Sequence, residues 1–395
     1  MTAMVFPLSD SPNPRGVPIV TYAIIAANCA VYLIVSLPMS TRTPDPADPA
    51  LREYVQVLRE TLPPRVPIQA ALREISAYDV YVYEHGYKPG APELSDLLVS
   101  VFLHGGLMHL FGNMLFLWIY GDNVEYRLGR LRYLLYYLLT GVVATLFFSL
   151  FAIGSRIPLV GASGAISGVL GFYFIWFPRN AVRVFFFLFP FLMRVVELPA
   201  RLVLGFYLFV DNVLPFLVST GGGGGVAHGA HIGGFVAGLA IAWLMDRKEV
   251  VAAPREYRRV QPANAAAEID EALAQGDFTR VANSYFALPP EQARRALRPA
   301  DSLALGDWLA ANGHDEAALA VYRRHLRDYP AGPGGGEAHL GAGLALLRGG
   351  QAASAYQHLL DALDADPAPE TAARAREALG AIQAHQKLRL ARYPG

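Results

Sequence analysis

The chain has one cysteine in 395 residues, Cys29, and it lies inside an apolar run. That excludes an internal disulfide framework and a cysteine-based zinc cluster. There is no excess of either charge, since 33 Lys and Arg balance 33 Asp and Glu, so nothing points to a nucleic-acid partner. Charged residues are scarce, 17% of the chain against 53% hydrophobic, which excludes an ordinary soluble domain. No His-Glu-x-x-His occurs, so the helix of a zinc peptidase is missing, and no metal or cofactor is implied. A cleavable signal is not expected either. The first apolar run follows a Pro-rich leader with one basic residue, Arg15, and is long enough to remain as an anchor.

Long apolar segments are what the chain does have. Residues 17–37, 97–120, 133–153, 157–177, 202–218 and 226–245 each approach the ~20 residues that cross hydrocarbon. They predict an all-α, six-span transmembrane bundle over residues 17–246, followed by a soluble helical domain. Between the first two spans lies a polar outer-loop insertion, 38–93, where Leu51, Tyr54, Val55, Leu58 and Leu62 recur at helical spacing. Residues 181–192, apolar but short, read as an interfacial loop, and Gly221 to Gly225 as a hinge. Arg127, Arg130, Arg132, Arg179, Arg183, Arg194, Arg201, Arg247 and Lys248 all fall in connections on one side, against Arg156 on the other. That asymmetry predicts cytoplasmic termini and puts the start of the fourth span near the outer face.

Three clusters of polar residues interrupt the spans. At the head of the fourth stands Gly161-Ala-Ser163-Gly164, followed by Ser167 and Gly171 at i+4 spacing. Orphan N–H groups and the positive end of a helix dipole at such a position suit a developing oxyanion, which marks Ser163 as a candidate nucleophile. A small-residue packing face is the competing reading. The second span carries His104, His109 and Asn113, the last two i, i+4 neighbours. The sixth opens with His228 and His231, followed by Gly234 and Gly238, a GxxxG pair suited to close helix contact with the fourth span. Such contact would bring His231, the usual base for a serine hydroxyl, beside Ser163. Asp211, near the middle of the fifth span, either faces water or is neutral.

His104-x4-His109-x3-Asn113, Gly161-Ala-Ser163-Gly164 and Ala230-His231-x2-Gly234-x3-Gly238, in that order on spans two, four and six, resemble the rhomboid family of intramembrane serine proteases. The resemblance covers residues 17–246. It implies a Ser163–His231 catalytic dyad and an oxyanion site from the Ser163 N–H, His109 and Asn113. His104, Gly161, Gly164, Gly234 and Gly238 would give support. Implied partners are transmembrane protein substrates within a lipid bilayer, and the implied location is a bacterial inner membrane. Glu125 and Arg127 resemble the family's charged pair after the second span. Two positions depart from the family: Ser95-Asp96 stand where a Trp-Arg pair is common, and Ser167 where some members place an aromatic ring against the catalytic histidine. The alternative is a non-proteolytic relative that binds membrane helices or serves quality control. The presence of both Ser163 and His231 favours the enzyme.

After residues 247–263, read as a linker, Gly276, Gly313 and Gly350 recur 37 residues apart in similar settings, and Pro330 and Pro367 repeat that period. Residues 264–384 resemble a tetratricopeptide array of helical pairs, expected to hold a cytoplasmic protein or peptide partner and to take no part in chemistry. Residues 1–16 are read as a leader and 385–395 as a tail.

Overall fold

A computed structural model describes residues 3–14, 16–61, 68–188, 192–218, 227–251, 254, 257, 265–330 and 332–392. It divides into two compact units. The first comprises residues 1–9, 16–175 and 182–242, and the second residues 10–15, 176–181 and 243–395.

Among the described residues, four helices are long and apolar enough to cross a membrane: α1 (Ile19–Ser40), α7 (Arg130–Ser149), α9 (Ala200–Val218) and α10, whose apolar part is His228–Arg247 within His228–Val251. The expected second span is broken. Helices α5 (Asp96–Phe102) and α6 (Leu107–Leu128) meet at 94°, with His104 in the bend. The expected fourth span is a shorter apolar helix, α8 (Ser163–Trp176). Side chains such as Leu33, Ile34, Met108, Leu131, Phe209 and Leu217 are exposed on these helices, which suits contact with hydrocarbon rather than water.

The chain is mostly helical but not all-α. Strands β2 (Ala181–Leu188) and β3 (Leu192–Pro199) stand where an interfacial loop was expected, and residues expected as a leader supply β1 (Ala3–Ser11), giving a sheet of order β1-β2-β3. Val182 and Val184 are buried while Arg183 is exposed, the period-2 pattern of a half-buried strand. That alternation was hidden in a segment read by its overall hydropathy. The insertion between α1 and α5 holds α2 (Pro49–Thr61), α3 (Ile68–Glu74) and α4 (Ala77–His85). The expected amphipathic helix is α2, with Val57 buried. Leu62 and the glycine run Gly221–Gly225 lie outside the described residues.

Polar side chains tie the first unit together where backbone groups need partners. The carboxylate of Glu125 accepts from Val20 N (3.0 Å), Thr21 N (2.7 Å) and Thr21 Oγ1 (2.8 Å), satisfying the orphan donors at the start of α1. Lys88 donates to the carbonyls of Tyr83 (2.7 Å), Glu84 (3.0 Å) and Gly86 (3.2 Å) at the end of α4, and lies 3.7 Å from buried Asp96. Ser95-Asp96 therefore do anchor the first loop, through a lysine rather than a Trp-Arg pair. Residues 87–90 then pair with 155–159 through Tyr87 N to Leu159 O (3.1 Å), Leu159 N to Tyr87 O (2.8 Å) and Gly90 N to Ser155 O (2.7 Å), which holds the approach to α8.

In the second unit, α11 (Ala265–Gln275), α12 (Phe278–Ala287), α13 (Pro290–Ala296), α14 (Pro299–Ala311), α15 (Asp315–Asp328), α16 (Gly335–Arg348), α17 (Ala352–Asp364) and α18 (Pro369–Arg392) follow one another. The three glycines of the 37-residue period close turns of one kind. Gly276, Gly313 and Gly350 have φ of 68°, 80° and 76°. In each turn the following N–H reaches back five residues: Asp277 to Ala272 (2.9 Å), His314 to Leu309 (2.9 Å) and Gln351 to Leu346 (2.8 Å). This is the Schellman arrangement, in which a left-handed glycine lets the last helical carbonyls find donors. The segment after α8 also packs in this unit. Arg179 N–H donates to Gln357 Oε1 (3.0 Å), Gln357 Nε2 donates to Asn180 Oδ1 (2.9 Å), and the Arg179 guanidinium pairs with Asp361 (3.0 Å) and Asp364 (2.8 Å).

Replacing Lys88 by Met leaves Asp96 buried without its cation, at a cost of about 3–5 kcal/mol for a buried pair broken on one side. Thermal unfolding of the purified protein in detergent should show a lowered midpoint. The double change Lys88→Met/Asp96→Leu should recover part of the loss.

Candidate active site

The glycines of α8 and α10 decide how the two helices meet. A Cβ at Gly234 would collide with the Gly164 carbonyl oxygen, one at Gly238 with that of Gly168, and one at Gly171 with that of Phe235. The contacts run in one direction along both helices, so α8 and α10 are parallel, and Ser163 and His231 sit at the same end. Ser163 is half-buried at the first residue of α8. It lines a small cavity of about 20 Å³ together with Ser100, Thr145, Gly161 and Ala230, room for about one water molecule.

Gly161 joins this helix start to the second cluster. Its φ is 117°, and its N–H donates to Ser100 O at 2.8 Å. A side chain there would lie 2.8 Å from His109 Nε2, and Asn113 Nδ2 is 3.7 Å away. Gly105 N–H donates to His109 Nδ1 (3.3 Å), so the proton of the neutral ring sits on Nε2, the atom beside Gly161. Asn113 Nδ2 is buried and has no hydrogen-bond partner among the described residues. Two donors, His109 Nε2–H and Asn113 Nδ2–H, thus lie beside one glycine two residues before Ser163. His104 stands edge-on to His109 with ring centroids 5.1 Å apart, and its backbone is clamped by Tyr78, whose hydroxyl donates to His104 O (2.9 Å) and accepts from His104 N (3.1 Å).

His231 is positioned by residues that sequence reasoning passed over. Its Nδ1 lies 2.6 Å from Asn212 Oδ1, and Asn212 Nδ2 donates to Tyr207 O at 2.8 Å. The second bond orients the amide, so Oδ1 faces the ring and takes the Nδ1 proton, which leaves Nε2 with a free lone pair. Tyr207 stacks along His231, centroids 6.4 Å apart and planes at 29°, and its hydroxyl is 2.9 Å from Ser167 Oγ. An aromatic ring therefore does lie against His231. It comes from α9, and Ser167 holds it instead of replacing it. The helix makes a π turn at Phe209–Val213, where Asn212 is buried and Asp211 is exposed. Asp211 thus faces away from the histidine and Asn212 towards it. The signal was present in sequence as a second polar residue in the same apolar span. His228 stands edge-on to His231, centroids 6.4 Å apart.

A hydroxyl at a helix start, an imidazole on a glycine-packed neighbour and two donors beside Gly161 thus gather on apolar helices. Residues 91–248 match the family described as Rhomboid domain. "RHOMBOID-like protein 6, mitochondrial" of Arabidopsis thaliana is 27% identical over 232 residues, 57% of this chain and 68% of its own length. "Rhomboid protease GluP" of Bacillus subtilis is 44% identical over 75 residues, 19% and 14% of the two chains. "Inactive RHOMBOID-like protein 8" of Arabidopsis thaliana is 30% identical over 129 residues, 30% and 34%. Apart from the first, the relatives compared are matched over 14–52% of their own length.

Gly161→Ala forces a side chain into left-handed backbone and against His109, at a cost of at least ~1 kcal/mol. Gly105→Ala, where the nearest atom is His109 Nδ1 at 3.8 Å, is a matched control. Differential scanning fluorimetry should show a lowered midpoint for the first and little change for the second.

Proposed function

We propose that the protein is an intramembrane serine protease of the rhomboid family, cutting membrane-protein substrates in or near their transmembrane segments through a Ser163–His231 dyad. The observation that supports this most is the tautomer arrangement. Asn212 holds the His231 proton on Nδ1, leaving Nε2 as a base, while His109 presents a proton beside Gly161. In this reading His231 Nε2 takes the Ser163 proton as Oγ attacks the scissile carbonyl. The oxyanion that forms is held by the Ser163 N–H, His109 Nε2–H and Asn113 Nδ2–H. Collapse expels the amine, which receives the proton from His231, and water then releases the acyl group by the same steps in reverse. Asn212 is a positioning residue: it touches no reacting atom and fixes the ring that does.

A peptide bond in a helix is shielded by its own hydrogen bonds, and in lipid every backbone group must stay paired. The substrate is therefore cut where small or helix-breaking residues let it unwind. The tetratricopeptide-like tail would hold a cytoplasmic partner or the cytoplasmic end of a substrate. The termini would be cytoplasmic, in a bacterial inner membrane.

Ser163→Ala and His231→Ala should each abolish cleavage of a panel of single-span substrates by the purified protein, and the double variant should be no worse than either, because the pair acts as a unit. Asn113→Ala should lose about 10²–10³ in kcat, as for one oxyanion donor. Asn212→Leu should lower kcat more than it changes KM and alter the pH–rate profile. Cleavage by Ser163→Ala would refute the assignment. Binding of single-span helices by wild type without turnover would favour the non-proteolytic alternative.

Orientation has its own test. A reporter fused after Met245 should be cytoplasmic, and one placed between α2 and α4 should be external. Both reporters on one side would overturn the topology.

A further inference from the structure

Helices α16 and α17 bring together a donor set that the sequence does not place side by side. His339 Nδ1 lies 3.1 Å from His358 Nδ1 and 3.8 Å from Asp361 Oδ2, and donor atoms of the three residues all fall within 4.8 Å of one another. All three are partly buried. Donors bound at ~2.0–2.2 Å around one ion stand roughly 3.3–3.6 Å apart in tetrahedral geometry. The His339–His358 and His339–Asp361 pairs, at 3.1 and 3.8 Å, each lie within a few tenths of an ångström of that separation.

Three features favour an ion over a plain imidazole–imidazole hydrogen bond. First, a third donor lies beside the pair, and it comes from the same helical face as His358, at i, i+3, a spacing by which helices present paired ligands to metals. Second, the carboxylate is oriented from behind. The Arg179 guanidinium holds Asp361 Oδ1 at 3.0 Å and leaves Oδ2 towards the histidines, the outer-shell hydrogen bond that ligating carboxylates commonly carry. Third, the local charge suits a cation. Arg179 also pairs with Asp364 at 2.8 Å, so two carboxylates face one guanidinium. Two imidazoles and a carboxylate form a borderline nitrogen and oxygen set, the chemistry that selects Zn²⁺ and its neighbours over Ca²⁺ or Mg²⁺, with a fourth position left for water or another ligand.

We propose that His339, His358 and Asp361 form a site for a divalent transition-metal ion of the Zn²⁺ class in the second unit. The ion fastens α16 to α17, and through Asp361 it stiffens the anchorage of Arg179. This role is separate from the membrane site and does not depend on proteolysis.

The test uses the full-length, tag-free protein in detergent, stripped with chelator and titrated with ZnCl₂ under calorimetry, with metal content read by mass spectrometry after dialysis. One ion per chain is expected, together with a raised thermal midpoint. Co²⁺ in its place should give the visible absorption of a four-coordinate nitrogen and oxygen site. The His339→Ala/His358→Ala variant should lose the ion, and Asp361→Asn, which keeps the side-chain shape, should weaken binding at least tenfold. Circular dichroism checks that both variants fold. A wild-type protein that takes up no Zn²⁺ overturns the proposal. So does equal uptake by the double-histidine variant, which would place the ion among the membrane histidines.

Discussion

The arrangement rests on one packing contact, the approach of α8 to α10 across glycine. In hydrocarbon there is no hydrophobic gain from bringing two apolar helices together, so close contact depends on van der Waals fit between backbones. Gly164 against Gly234 and Gly168 against Gly238 provide that fit, with main-chain carbonyls where side chains would otherwise stand. The same contact fixes register. Because the glycines repeat every four residues on both helices, a slip of one residue would set side chains against carbonyls along the whole seam. Ser163 and His231 share an end of the pair as a consequence of that register.

Around this seam the polar groups form a chain with a defined direction of hydrogen bonding. Tyr207 O orients Asn212, Asn212 orients His231, and Gly105 orients His109. Each neutral side chain has two ways to present its polar atoms; a backbone group chooses for Asn212 and His109, and the Asn212 amide chooses for His231. In a medium that stabilises stray charge poorly, this orients the imidazole without an ionised partner. Asp211 is exposed, and the buried neighbour Asn212 makes the contact instead.

Much of this was legible in the sequence because its signals are local and strong. Apolar runs located the membrane helices, and the spacings of His109 with Asn113 and of Gly234 with Gly238 located the polar cluster and the seam. The period of Gly276, Gly313 and Gly350 marked turns that share one backbone geometry. What escaped was non-local or a matter of backbone detail. The strand of residues 3–11 gains its partner from residues 181–188, far along the chain. The π turn that turns Asn212 inward and Asp211 outward leaves no mark in hydropathy, nor does Tyr207 reaching Ser167 from another helix. His339 and His358 are ordinary residues of two amphipathic helices until the turn at Gly350 folds one onto the other.

The shortness of α8 has a mechanical implication. Its 14 residues extend about 21 Å, against ~30 Å of hydrocarbon. Packed on nearly every side by protein, it leaves the lipid to its neighbours, and a rod shorter than the slab has an end sunk beneath the surface. Acyl-chain length therefore acts through the lipid-facing helices around it: a thinner bilayer leaves the sunken end nearer the headgroups, and a thicker one buries it deeper.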